Sequence, residues 1–146
     1  MSNEIIKEDI KIGNLIYEIR GKQVMLDSDL ARLYECANGT KTINQAVNRH
    51  LDRFPVDFYF QLSEIEYNSL WSQLGTLKIR RGQHKKYLQY VFTEQGVAML
   101  ATVLRTSTAS QMSVKIMDAF VSLRHNINDN LIKQNSKDIK LIQDFF

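Results

Sequence analysis

Residues 40–53 run TKTINQAVNRHLDR, and the fold turns on this stretch. At about 100° per residue, Ile43, Ala46, Val47, His50, Leu51 and Phe54 gather in one continuous arc, while Asn44, Gln45, Asn48, Arg49, Asp52 and Arg53 fill the rest without interruption. The expectation is a helix with one apolar and one polar face, capped by Thr40 and reaching about Arg53. Phe54-Pro55 ends it, because a proline ring crowds the residue before it out of the helical conformation.

Upstream, Leu15 to Ile19 and Gln23 to Leu26 are β-prone runs around Arg20-Gly21-Lys22, the pattern of a hairpin. Asp27 or Ser28 can cap a short helix whose Leu30, Ala31, Leu33 and Tyr34 have helical spacing, and Asn38-Gly39 marks a turn before Thr40. Downstream, Phe58 to Leu62 suits a strand. Ser63 and Glu66 form a capping box for a helix that buries Tyr67, Leu70, Trp71 and Leu74. Residues 75–92 lack helical period and suggest two β-prone arms around a basic tip. Thr93 caps an apolar helix carrying Val97, Leu100, Ala101 and Leu104, and a longer helix with Met112, Ile116, Phe120 and Leu123 on one face follows. From Asn126 to Phe146 a looser pattern continues through Ile127, Leu131, Ile139, Ile142, Phe145 and Phe146, a helical tail able to start a coiled coil. Two short helices joined by a turn, with a basic β-arm after them, predict the α+β class. The expected architecture is a small helix-turn-helix domain with β-hairpins, of the winged type, followed by a C-terminal helical tail.

The 146 residues suit one domain, and 44% hydrophobic with 10% aromatic content can fill a core. The net charge is only +3, but it is unevenly placed. Residues 1–40 hold five Lys/Arg against seven Asp/Glu, whereas residues 41–125 hold eleven against six. No acid lies between Glu66 and Glu94, while Lys78, Arg80, Arg81, Lys85 and Lys86 fall within that gap. A polyanion would meet one basic side of a nearly neutral protein. A single cysteine, Cys36, excludes an internal disulfide and suits a reducing compartment. No apolar run approaches the roughly 18 residues of a membrane span, and residues 1–11 are too charged for a secretory signal. A cytoplasmic location with no membrane partner is expected.

The polar face of residues 40–53 carries the chemistry of base recognition. Asn and Gln can form paired hydrogen bonds with adenine in the major groove, and Arg can do so with guanine. Gln45, Asn48 and Arg49, with Asn44 next, are the base-reading candidates. Lys41, Arg53, Lys78, Arg80, Arg81, Lys85 and Lys86 are the phosphate candidates, supplying affinity without sequence choice. His84 and Tyr87 interleave with the last group, and Asp52 opposes phosphate contact at its own position. The competing view is an ordinary solvated helix face beside a solvated loop.

Catalysis finds no comparable support. His50, His84, His125 and Cys36 show no metal-ligand spacing, and His50 falls in the apolar arc, as a core histidine would. Cys36 has no base or orienting partner nearby in sequence. Asp27 suits a helix cap better than a metal ligand, and Glu94 beside Thr93 suits the helix dipole. No glycine loop cradles phosphate. The expectation is therefore no enzyme, no cofactor, no metal and no small-molecule substrate.

Several stretches also occur together in a familiar order. Residues 19–27 (IRGKQVMLD) lead into 29–34 (DLARLY), and 44–49 (NQAVNR) into 53–62 (RFPVDFYFQL). Residues 92–100 (FTEQGVAML) and 116–121 (IMDAFV) follow. This resembles the phage KilA-N superfamily, in the branch named for the N-terminal domain of a phage open-reading-frame-six protein. The resemblance spans roughly residues 10–125 and leaves 126–146 as the tail. It implies a small α+β domain that binds DNA and is carried by phages, prophages and bacterial genomes, often in regulators or antirepressors. By position, the helix from Thr40 to Arg53 would be the DNA-reading element. The turn from Glu35 to Gly39 looks longer than the family's usual turn, which bears on the angle between the two helices. The resemblance thus implies a DNA-binding module of a phage-type regulatory protein, with double-stranded DNA as partner, while the apolar pattern of the tail, which a lone helix would leave exposed, points to a homodimer through it. The alternative is a protein-interaction module, an antirepressor that binds a repressor protein through the same exposed helix and tail.

Overall fold

Val24-Met25-Leu26 is an unbroken apolar run where a half-buried strand would alternate, and a strand can hold such a run when both of its faces are covered. The computed structural model, which describes residues 12–74 and 88–143 (side chains for 12–73 and 88–127), covers both faces. Strands β1 (Ile16–Ile19) and β2 (Lys22–Leu26) pair antiparallel, with Ile19 opposite Lys22. The two residues between them, Arg20 and Gly21, have φ of 55° and 72°. Positive φ at both positions is what a two-residue hairpin matched to sheet twist requires. β2 pairs with β4 (Tyr90–Thr93), and β4 with β3 (Tyr59–Gln61), so the four-stranded antiparallel sheet has the order β1-β2-β4-β3.

Cross-strand rows sort the side chains into two cores. Ile16, Met25, Phe92 and Tyr59 stand opposite one another in one row, and Leu26, Val91 and Phe60 in the next. Four helices pack on the first row: α1 (Asp27–Leu33), α2 (Thr40–Arg49), α4 (Glu94–Leu104) and α5 (Ser107–Gln143). They contribute Leu30, Ile43, Val47, Val97, Leu100, Ala109, Ile116 and Phe120. α3 (Glu64–Leu74) covers the second row with Tyr67 and Leu70. Each fully buried side chain of this size contributes about 1.5–3 kcal/mol of apolar transfer, so the sheet is held from both sides. The α+β class is as expected.

Two caps form as read. Ser63 N donates to Glu66 Oε1 at 2.8 Å while Glu66 N donates to Ser63 Oγ at 3.1 Å, and Thr93 Oγ1 accepts from Gly96 N at 3.3 Å. The cap expected from Asp27 or Ser28 does not form. Both lie inside the first turn of α1, its cap position is Leu26, and no side chain caps it. β2 feeds directly into α1, so no loop residue is left to cap, and the buried Asp27 accepts instead from Tyr90 N at 3.4 Å.

α2 is capped at Gly39, not Thr40, and ends at Arg49 instead of Arg53. His50 leaves the helical conformation at φ −135°, and Leu51–Arg53 form a separate 3-10 turn. Ile43, Ala46, Val47 and Phe54 are buried as the arc implied, but Leu51 is 57% exposed because the kink rotates it out. Trp71, expected to be buried, is half-buried, as are Ala101, Leu104, Met112 and Leu123.

Of the two arms expected in residues 75–92, the first and the basic tip lie outside the described residues. β4 pairs with strands from earlier in the chain. α5 is capped by Thr106, whose Oγ1 accepts from Ala109 N at 3.0 Å, and runs unbroken through Asn126. The side chains of Leu131, Ile139 and Ile142, like Phe145 and Phe146, fall outside the described residues.

Candidate nucleic-acid interface

The angle between α1 and α2 is fixed at several points. α1 closes with Cys36 N donating to Ala31 O at 2.9 Å and Glu35 N to Arg32 O at 3.1 Å. This pair of bonds places Glu35 at the left-handed position, φ 56°, where glycine is usual. Gly39, at φ 60° and ψ −139°, then turns the chain into α2 in a conformation that side chains strain to adopt. Just before this turn, the buried Tyr34 hydroxyl meets Ser113 Oγ of α5 at 2.9 Å. Burial pushes that hydroxyl up to about 12, against a smaller opposing effect of the Ser113 bond, so it remains a neutral hydrogen-bonding group at ordinary pH.

With Ile43, Ala46 and Val47 turned into the core, α2 presents Lys41, Gln45, Asn48 and Arg49 outward, all exposed. Asn44 is half-buried at the margin of that face. Asp52 and Arg53 are exposed but lie beyond the kink, on the 3-10 turn. Lys78, Arg80, Arg81, Lys85 and Lys86 lie outside the described residues. The structure therefore brings together three base-reading candidates and one phosphate candidate, with Asn44 beside them and Arg53 one turn further on.

The electrostatic state of this face differs from the rest of the described surface. Arg20 holds Glu66 at 2.7 Å, Lys22 holds Asp57 at 2.9 Å, Arg32 holds Asp29 at 2.5 Å, and Arg124 pairs with Glu94. Among the described residues, Lys41, Gln45, Asn48, Arg49 and Arg53 form no side-chain hydrogen bond or ion pair. Arg105 shares that condition but stands apart, as the left-handed C-cap of α4. The α2 face is thus a cluster of solvated donors and acceptors with three uncommitted cations around it. Such a face can take a polyanion without first breaking internal pairs.

Two exposed aliphatic residues adjoin it, Val56, which sequence reasoning did not single out, and Leu51, which it placed in the buried arc. Leu51 is 57% and Val56 67% exposed, on either side of Pro55 and beside Arg53. Apolar contact of this kind suits a thymine methyl or a protein surface. Pro55, with the Asp52 and Asp57 that flank it, was the available signal that the chain leaves the core there.

Among the described residues no helix is long and apolar enough to cross a membrane, and no group of three His, Cys, Asp or Glu side chains could hold a metal ion. No curated protein and no solved structure matches the chain. The family model described as the ORF6N domain matches residues 14–103 of the 146, from the hairpin through α1 and α2 almost to the end of α4. The hairpin, the two short helices and the strand-capped α4 are thus elements of one family domain, and the chain belongs to the ORF6N domain family.

Proposed function

We propose that this chain is the DNA-binding module of a phage-type regulatory protein, with α1 and α2 acting as a helix-turn-helix and α2 as the helix that enters the major groove. Membership of the ORF6N domain family fits a phage-type regulatory protein. The observation that carries the DNA reading is the uncommitted α2 face, where Gln45, Asn48 and Arg49 stand exposed together while Arg20, Lys22, Arg32 and Arg124 elsewhere are paired. Amide and guanidinium groups are the side chains that form paired hydrogen bonds with adenine and guanine. Lys41 and Arg53 flank them as phosphate contacts, and the basic stretch Lys78, Arg80, Arg81, Lys85 and Lys86 adds sequence-independent affinity. The module acts by binding, without catalysis.

The second reading, a surface that binds a repressor protein, is favoured by exposed Leu51 and Val56, which suit a protein contact as well as a thymine methyl. A homodimer through the end of α5 belongs to the first reading. Ala109, Ser113, Ile116 and Phe120 of one α5 stripe are buried on the domain and Leu123 is half-buried, but Ile127, further along that stripe, is 40% exposed and needs a cover that a second copy would supply.

Selection of preferred sites from random DNA, followed by affinity measurements over a range of salt, tests the proposal. DNA binding weakens steeply with salt as counterions are released. Asn48→Ala or Arg49→Ala is expected to lose about 1–3 kcal/mol against the selected site and little on random DNA. Equal losses on both would reassign these residues to phosphate contact. Recovery of no preferred sequence, together with salt-insensitive binding to a protein, would sink the DNA reading in favour of the second.

A further inference from the structure

β1, α1 and the turn into α2 form a cleft of about 480 Å³ together with Trp71 of α3 and Gln89 just before β4. Small-molecule sites occupy roughly 300–1,000 Å³. Tyr17 and Trp71 supply aromatic surface, and Arg32 supplies a cation whose side chain is 69% exposed. Asp29 and Gln89, by contrast, are each only 7% exposed.

Asp29 accepts on Oδ1 from Arg32 Nη2 at 2.5 Å. Gln89 donates through Nε2 to Ser28 Oγ at 2.8 Å, an arrangement that leaves its amide oxygen over. Asp29 Oδ2 and Gln89 Oε1 are left buried with no hydrogen-bond partner among the described residues. An unfilled buried acceptor costs about 1–3 kcal/mol, and folded proteins leave few of them. Two in the wall of one cleft mark a place where donors from outside are wanted. Both oxygens are closed against the wall, so a ligand meets them only if the carboxylate or the amide turns and gives up its bond to Arg32 or Ser28.

We propose that this cleft binds a free guanine nucleotide: a flat ring lying against Tyr17 and Trp71, two adjacent N–H donors directed to Asp29 and Gln89, and a phosphate meeting Arg32. The guanine edge carries a ring N–H beside an amino group, which fills both acceptors. Adenine offers an amino group beside a ring acceptor and leaves one of them unfilled. Thr40, the first residue of α2, also lines the cleft, so a bound ligand touches α1 and α2 together and favours one angle between them. That coupling rests on the DNA-reading proposal, whereas the binding itself does not.

Trp71 is the only tryptophan in the chain and lines the cleft, so its fluorescence reports occupancy directly. The full chain would be titrated with guanosine monophosphate, guanosine, adenosine monophosphate and inorganic phosphate. A saturable change is expected with guanosine monophosphate, a weaker one with guanosine, at least about tenfold weaker binding of adenosine monophosphate, and none with phosphate alone. Asp29→Asn should weaken guanosine binding about tenfold, as the loss of a charge-assisted bond implies. Arg32→Gln changes an exposed side chain and keeps the test available if Asp29→Asn does not fold. It should abolish the advantage of the monophosphate over guanosine. Absence of any saturable change with guanosine monophosphate, equal binding of adenosine monophosphate, or an advantage of the monophosphate that survives Arg32→Gln would each overturn the proposal. Guanosine monophosphate binding by a chain that fails to bind DNA would leave this site standing and remove the DNA reading.

Discussion

Gly96 is the third residue of α4, and replacing it with alanine tests how that helix is seated. A Cβ at this position would stand 2.0 Å from Phe58 O and 2.9 Å from Phe58 C. An ordinary carbon–oxygen contact needs more than about 3 Å, so helix and loop must part by about 1 Å or more. The Phe58 carbonyl is not free to retreat. It accepts from Thr93 N at 3.0 Å, and Thr93 Oγ1 lies 3.3 Å from it and 3.0 Å from Asp57 O, sharing its proton between them. The same Oγ1 caps α4 by accepting from Gly96 N at 3.3 Å. Parting the two segments strains or breaks about two hydrogen bonds, at about 0.5–1.5 kcal/mol each, and adds an overpacking cost of about 1–3 kcal/mol. The better helix propensity of alanine returns at most about 1 kcal/mol. Gly96→Ala should therefore destabilise by about 3 kcal/mol, lowering the melting temperature by ~10 °C for a chain of this size. Gly13→Ala is the control, since nothing lies within 4 Å of a Cβ there. Urea unfolding followed by far-ultraviolet circular dichroism and Trp71 emission measures both variants. A Gly96→Ala midpoint equal to that of Gly13→Ala would refute the reasoning.

Three further outcomes are expected. Glu35→Gly should raise stability by about 1 kcal/mol in thermal melts, because Glu35 occupies a left-handed position, φ 56°, that costs other residues about 1–2 kcal/mol. Hydrogen bonds from Arg20, then from the Ser63 backbone and hydroxyl, hold the Glu66 carboxyl at about 2, below its ordinary 4.5. Because the folded value is the lower one, this stabilisation is complete above about pH 4.5 and drains away as pH falls towards 2. Glu66→Gln should flatten that limb of the urea midpoint by ~1 kcal/mol, a solvent-screened pair being worth no more; an unchanged limb would remove the pair from the account. Deleting residues 127–146 should convert a dimer to a monomer in sedimentation, and the same mass with and without them would show that the tail is not the contact.

The features legible in the sequence were those set by near neighbours. Arg20-Gly21, Ser63 with Glu66, and Thr93 each act within a turn of chain, and each forms as its residue types dictate. The inward residues of α2 were legible for the same reason, since Ile43, Ala46 and Val47 recur at helical spacing. What escaped depends on distant parts of the chain. Asp27 has the chemistry of a cap, but β2 runs into α1 without a loop, and the carboxylate is drawn to the Tyr90 backbone 63 residues away. A regular 100° projection carries Leu51 into the core because it cannot register one residue, His50, leaving the helical conformation at φ −135°. Gly96 looked like part of a helix start, whereas Phe58, in the turn before β3, is what demands a missing Cβ. Of the candidate site, the exposed α2 face was legible from periodicity, while its freedom from ion pairs was not. That freedom depends on where Glu66, Asp57, Asp29 and Glu94 are already engaged.

On the proposed reading, the short α2 and the long α5 answer one another. The ten residues of α2 span about 15 Å, and bases along one DNA strand are about 3.4 Å apart. The helix can therefore address about four base pairs at most, a word that recurs roughly once in every few hundred. Lengthening the reading face is blocked by the kink at His50, which puts Arg53 on a separate turn and in reach of phosphate more than of a base edge. Discrimination must come from additional contacts. Leu51 and Val56 add apolar surface next to the face, but a methyl contact distinguishes only thymine. A second copy would double the number of base pairs read, and it would need a rigid element long enough to relate two α2 helices separated by one turn of DNA, about 34–36 Å. The 37 residues of α5 extend about 55 Å, and among those whose side chains are described the fully buried ones run from Ala109 to Phe120. The helix beyond that stripe is long enough to hold two domains at that spacing, so limited reading by one α2 and the length of α5 both favour a paired site over a single one.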